Sequence, residues 1–149
     1  MAILAGVMAL AMPIAGCGSS DDDETLTKAE FIKQGDVICK QASDSIAPQY
    51  QAYIKKQGIK RNEFPTEKQG IEIAEQIYLP TVETRVEKLR ELSPPSDEED
   101  QVEAILIATE EGVEKAKKNI KALFGQGKDP FEEAKTLSAK YGFKACATI

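Results

Sequence analysis

The chain has 149 residues, 25 acidic against 19 basic for a net charge of −6, and neither His nor Trp. Without His it lacks the commonest acid–base catalyst and the commonest metal ligand, and Ser–His and Cys–His catalysis are excluded within the chain. The acidic balance argues against general affinity for nucleic acid or anionic lipid, and the length allows one domain with a real core.

Residues 1–16 carry no charge and are mostly apolar. The stretch is shorter than the ~20 residues a membrane span needs and suits the apolar region of an export signal. No Lys or Arg precedes it, so the true start is expected upstream of Met1. Ile14-Ala15-Gly16 leads to Cys17, and Gly18-Ser19-Ser20-Asp21-Asp22-Asp23-Glu24 follows. Residues 17–26 read as a polar, acidic tether, because nothing there can bury much surface. The acidic run lacks the spacing and the glycine of an EF-hand loop, so it reads as a solvated spacer.

Three cysteines are an awkward number for an exported chain. With Cys17 set aside, Cys39 and Cys146 remain, and an oxidising compartment would let them bridge. Closing a loop of over a hundred residues would stabilise the fold by roughly 4–5 kcal/mol. The alternative for the same residues is a pair of buried free thiols. Neither a metal site nor a C-x-x-C redox pair is read from them.

The first helix is expected from Thr27, where Thr27 and Glu30 form a capping box. Phe31, Gly35, Ile38, Ala42, Ile46, Tyr50 and Tyr53 mark its apolar face at steps of three and four. Pro48 should kink or restart it near Ala47, and Lys55, Lys56 and Gly58 should end it. After a loop over 59–65, Thr66 and Gln69 form a second box. Ile71, Ala74, Tyr78, Val82, Val86, Leu89 and Leu92 trace the second helix, with a bend expected at Pro80 and a stop at Ser93-Pro94-Pro95. Ser96 and Glu99 form a third box. The third helix follows with Val102, Ile105, Leu106, Thr109, Val113, Ala116, Ile120, Leu123 and Phe124, ending at Gly125-Gln126-Gly127. The second and third helices are each expected to run about 28 residues, about 42 Å. Asp129 and Glu132 form a fourth box around Pro130, opening a short helix with Phe131, Ala134, Leu137 and Tyr141, capped by Gly142. No segment shows sustained period-two alternation. The expected fold is all-α: an antiparallel bundle of three long helices and one short C-terminal helix, stapled by one disulfide, as a single domain over 27–149. The short helix is expected to cover one end of the bundle.

Three constellations could carry chemistry. Glu72 with Glu75, and Glu110, Glu111 and Glu114, are paired carboxylates at helical spacing, but interleaved lysines make a solvated face the stronger reading. Lys55, Lys56, Lys60 and Arg61 could converge with Lys115, Lys117, Lys118 and Lys121 into a basic patch for an anionic surface, against simple dipole complementation at two helix ends. Tyr50, Tyr53 and Tyr78 lie on core faces near Pro48 and Pro80, where kinked helices could leave a gap for an amphipathic ligand. The competing reading is that they close the core with their hydroxyls at the surface. No metal or other cofactor is expected.

Ile14-Ala15-Gly16-Cys17 resembles the signal of bacterial lipoproteins. The resemblance implies a signal peptide over 1–16, cleavage before Cys17, and a diacylglyceryl group on its thiol. Ile14 stands where a leucine is usual. The remainder is similar to small helical actinobacterial lipoproteins of unknown function. That similarity rests on Lys28-Ala29-Glu30-Phe31-Ile32 with Ile38-Cys39, on Leu92-Ser93-Pro94-Pro95 with Asp97-Glu98, and on Asp129-Pro130-Phe131 with Tyr141-Gly142-Phe143 and Cys146. It implies the paired cysteines and the helical fold, and brings no activity. The expected role is a non-catalytic binding or interaction module outside the cytoplasm, held to the cell membrane by a lipid on Cys17. Its expected partner is an envelope protein or a small molecule. The alternative is a carrier of an apolar or amphipathic small molecule, and a carboxylate hydrolase is a distant third.

Overall fold

The computed structural model describes residues 26–148, so Cys17, the signal stretch and most of the tether lie outside the described residues. The described chain is all helical: α1 (Lys28–Lys56), α2 (Glu67–Ile73), a π-helical turn (Ala74–Tyr78), α3 (Leu79–Arg90), α4 (Glu99–Lys118), a 3-10 turn (Ile120–Phe124) and α5 (Glu132–Tyr141). Chain neighbours pack antiparallel. The Tyr53 hydroxyl near the end of α1 reaches Glu72 in α2. Leu26, just before α1, donates its amide to the Ser93 carbonyl just after α3. Arg90 near the end of α3 pairs with Glu103 in α4, and Glu83 in α3 pairs with Lys117 near the end of α4.

Two of the expected capping boxes form completely. Thr27 and Glu30 open α1, and Thr66 and Gln69 open α2, each pair exchanging side-chain and backbone bonds. The other two do not. Glu98 takes the N-cap position of α4 without a side-chain cap, because its amide closes a turn onto the Pro95 carbonyl and its carboxylate reaches Lys28 at 2.8 Å. Asp129 Oδ1 accepts from the Phe131 amide at 2.9 Å, while Glu132 turns to Lys128, so α5 starts at Glu132 itself.

Pro48 neither stops nor restarts α1, which runs unbroken for 29 residues. Proline removes one amide donor. The Ala42 and Ser45 carbonyls beside it also accept side-chain donors, from Ser45 Oγ and Gln49 Nε2. Pro80 has a different solution. The preceding turn widens into the π form, so the Leu79 amide reaches back to the Ala74 carbonyl, and Thr81 Oγ1 donates to Ile77. The backbone stays right-handed helical through both junctions, and α2, the π turn and α3 form one rod. The third helix is shorter than expected. α4 stops at Lys118, Asn119 leaves helical geometry, and Ile120 and Leu123 pack from a 3-10 turn.

The core has two clusters. One gathers Phe31, Cys39, Val86, Leu89, Val102, Ile105, Leu106, Tyr141, Phe143 and Cys146, with Leu26 partly buried against it. Leu26, read from the sequence as part of the tether, therefore packs with the domain. The other cluster gathers Leu79, Val82, Val113, Ala116 and Phe131. Although it has only ten residues, α5 lies between them, with Phe131 just before it in the second cluster and Tyr141 at its end in the first. It therefore runs along the bundle and does not merely cover one end. Gly112 lets α4 approach this far: a Cβ there would lie 2.4 Å from Phe131 Cδ1.

The Cys39–Cys146 disulfide joins the middle of α1 to the tail. Beside it, Asp36 accepts backbone N–H bonds from Lys144, Ala145 and Cys146 at 2.8–3.2 Å. One carboxylate thus satisfies three successive amides that no helix or sheet would use.

Candidate functional site

The tyrosines proposed from the sequence do not share one described cavity. Tyr53 is buried and donates its hydroxyl to Glu72 Oε2 at 2.7 Å. Burial, and then the Glu72 bond and charge, push its phenol up to about 12. Tyr50 is half-buried on the same helix. Tyr78 sits in the π turn, edge-on to Phe131 with ring centroids 6.2 Å apart. It borders a cavity of about 80 Å³ that neither Tyr50 nor Tyr53 lines.

The carboxylates are distributed outward and individually engaged. Glu72 takes the Tyr53 hydroxyl, Glu110 pairs with Arg90, Glu111 with Lys115 and Glu114 with Lys117, while Glu75 is exposed. Among the described residues no group of three or more acids or cysteines could hold a metal ion. The lysines are partly spent too. Lys121 reaches Glu67 at 2.6 Å, Lys117 holds Glu83 and Glu114, and Lys60 faces Glu63. The Lys121–Glu67 pair does bring the α4 end beside the α2 start, as parallel α1 and α4 require, but it neutralises one of the cations of the expected patch. At the opposite end, Lys28 pairs with Glu98 and lies 4.5 Å above the Tyr141 ring, joining α1, α4 and α5. The Lys28 bond, then the Tyr141 hydroxyl, hold Glu98 below the usual carboxylate range, while burial and Glu98 push Tyr141 up.

Sequence reasoning missed Arg85. It lies on the buried face of α3 with Val82, Val86 and Leu89 and is only 5 % exposed. Its Nη2 is buried without a hydrogen-bond partner. No ion pair among the described residues includes it. Burial lowers its pKa to about 10, with the nearby Tyr78 acting the other way, so the guanidinium remains charged near neutrality. Burial in turn pushes Tyr78 up, partly opposed by Arg85.

Arg85 borders two spaces between α1 and α3. One is the small cavity of Tyr78, which Ala42, Thr81 and Thr148 also line. The other is a groove of about 230 Å³, walled by Gln41, Ala42, Ser45 and Gln49 from α1 and by Pro80, Thr81, Thr84, Arg85 and Lys88 from α3. Its wall carries two cations and no acid. The helical phase explains this grouping. Thr81, Thr84, Arg85 and Lys88 follow steps of three and four after the π turn, and Gln41, Ser45 and Gln49 follow steps of four along α1. No family model, curated protein or solved structure matches the chain. The site is therefore argued from its own atoms. A fork of N–H donors, a second cation and several neutral polar groups can bind and orient a polar ligand. No carboxylate lines the wall.

The signal for Arg85 was present in the sequence as a charged residue inside an apolar stripe. Tyr78, Val82, Arg85 and Leu89 step by four, three and four, as regularly as the path through Val86. A long charged side chain at such a position is ordinarily taken to reach outward to water, and here it does not.

Proposed function

We propose that this chain is an extracytoplasmic binding module, tethered to the cell membrane by a lipid on Cys17 and acting without catalysis. The observation that carries the reading is the buried Cys39–Cys146 disulfide. Structural disulfides are formed and kept in oxidising compartments, and this one uses the two cysteines that remain once Cys17 is set aside. The apolar stretch before Cys17 and the acidic residues after it support export and tethering. No helix of the described residues is long and apolar enough to cross a membrane, so attachment in this reading depends on the lipid. The ligand surface favoured by the geometry is the Arg85 groove, which is small and carries two cations and no acid. It suits a small polar molecule better than the apolar cargo of a carrier.

Metabolic labelling with an alkyne fatty acid in the native host tests the anchor. The wild-type chain should carry the label and fractionate with membranes. The Cys17→Ser chain should lose both. Equal labelling of the two chains would overturn the anchored reading.

A further inference from the structure

A guanidinium stays protonated across the whole physiological pH range. Burying one without a counter-charge is strongly unfavourable, and proteins ordinarily meet the demand with a carboxylate. This chain has 25 acids, yet none lines the groove beside Arg85. Arg85 is 5 % exposed, its Nη2 has no partner, and Lys88 adds a second positive charge one turn further along α3. Two adjacent cations, one of them buried and without an ion pair among the described residues, sit in a cleft of a protein whose net charge is −6. They ask for an anion from outside.

The space limits what that anion can be. About 230 Å³ is room for roughly seven water molecules, below the ~300–1,000 Å³ of pockets for drug-sized ligands. Arginine's fork matches two oxygens of one group, while lysine acts as a point charge. Thr84 and Gln49 add neutral polar groups at the wall. Tyr78 lines the smaller cavity that Arg85 also borders.

We propose that the groove between α1 and α3 binds a small oxyanion, carrying a carboxylate or phosphate group, that pairs with Arg85 and is held at its outer side by Lys88. The proposal rests on the reading of this chain as a binding module and supplies the class of its ligand. Arg85 meets the anion where its side chain borders the groove. Lys88, exposed at the rim, draws the anion in and neutralises remaining charge. The protein holds Arg85 at a cost to its free form, and the ligand removes that cost on binding.

The test is thermal unfolding and calorimetric titration of the purified chain with inorganic phosphate and, separately, succinate, each against sodium chloride at matched ionic strength. The effective anion, at ten times its dissociation constant, should raise Tm by about 4 °C or more, and chloride should not. The larger response distinguishes a phosphate site from a carboxylate site. Lys88→Gln should fold normally and weaken binding about fivefold. Arg85→Met should abolish the response and, without anion, melt at or above the wild type, because it removes a buried uncompensated charge.

Three results would overturn the proposal. The first is no shift with either anion. The second is an undiminished response in Arg85→Met, which places binding elsewhere. The third is an Arg85→Met chain that melts well below the wild type without ligand, which makes Arg85 a satisfied structural residue. Failure of the anions with intact Cys17 labelling removes the oxyanion site alone. Loss of labelling with retained binding removes only the anchor.

Discussion

Reducing the Cys39–Cys146 bridge should destabilise the domain by several kcal/mol, mainly by freeing the unfolded chain. The two cysteines are 107 residues apart, and the entropy of closing a loop of that length corresponds to about 4.8 kcal/mol at 25 °C. A domain of ordinary stability has about 5–15 kcal/mol in total, so the bridge accounts for a large share. Native contacts change little by comparison, because both sulfurs are buried and Asp36 still holds the tail amides. Urea unfolding of oxidised and reduced protein measures the difference. With a slope of about 1.5 kcal/mol/M, the midpoint should fall by about 3 M on reduction. The oxidised chain should also show the smaller slope, since a cross-linked unfolded state exposes less surface. A Cys39→Ala/Cys146→Ala chain should behave like the reduced one without any reductant. Midpoints within about 0.5 M of each other, less than about 1 kcal/mol at that slope, would refute the loop-entropy reasoning.

Three other outcomes follow from local geometry. Gly112→Ala should lower stability by about 1–2 kcal/mol in thermal melts, because overpacking against Phe131 exceeds the roughly 1 kcal/mol gained in helix propensity; a higher Tm would show that α4 and α5 can part freely. Asp36→Ala should cost about 1–3 kcal/mol and speed hydrogen exchange at the Lys144, Ala145 and Cys146 amides that it now holds; unchanged exchange there would contradict the clamp. Tyr53, raised from 10 to about 12, favours the folded state fully below pH 10, and that contribution is lost as pH rises from 10 to 12. Tyr53→Phe should therefore lose less stability than wild type across that interval, and its absence should remove a late phase from the phenolate absorbance titration. Ionisation of Tyr53 near pH 10 in the folded protein would contradict the buried bond to Glu72.

The features legible in the sequence were local ones or ones set by counting. The boxes at Thr27 and Thr66 need only residues three apart, and both form. The pairing of Cys39 with Cys146 needed only an even remainder in an oxidising setting. Failures came where distant parts of the chain decide the outcome. Ser96 and Glu99 look like a start signal, but Glu98 is drawn to Lys28, 70 residues away. Nothing local in the sequence marks Asp36, and only the folded tail gives it three amides to hold. Arg85 was passed over because its neighbours fit the apolar stripe without it, and its lack of a partner is a property of the folded interior.

The π turn at Ala74–Tyr78 gives the second rod a surplus of one residue. Each residue in a helix advances the side chains by about 100°, so an insertion that stays helical turns everything after it by that angle. The buried positions record the offset: Ala74 and Ile77 are three apart, Leu79 follows after only two, and Val82, Val86 and Leu89 resume the usual steps. Deleting any one residue of the π turn would yield a more regular helix with good local hydrogen bonding. Because the π turn takes in the surplus residue within one wide turn, the same deletion would leave Val82, Val86 and Leu89 on the core and Arg85 beside α1. Had the turn stayed α-helical, the surplus would have rotated the core face of α3 by about 100°. The wide turn therefore keeps the two halves of the rod in register.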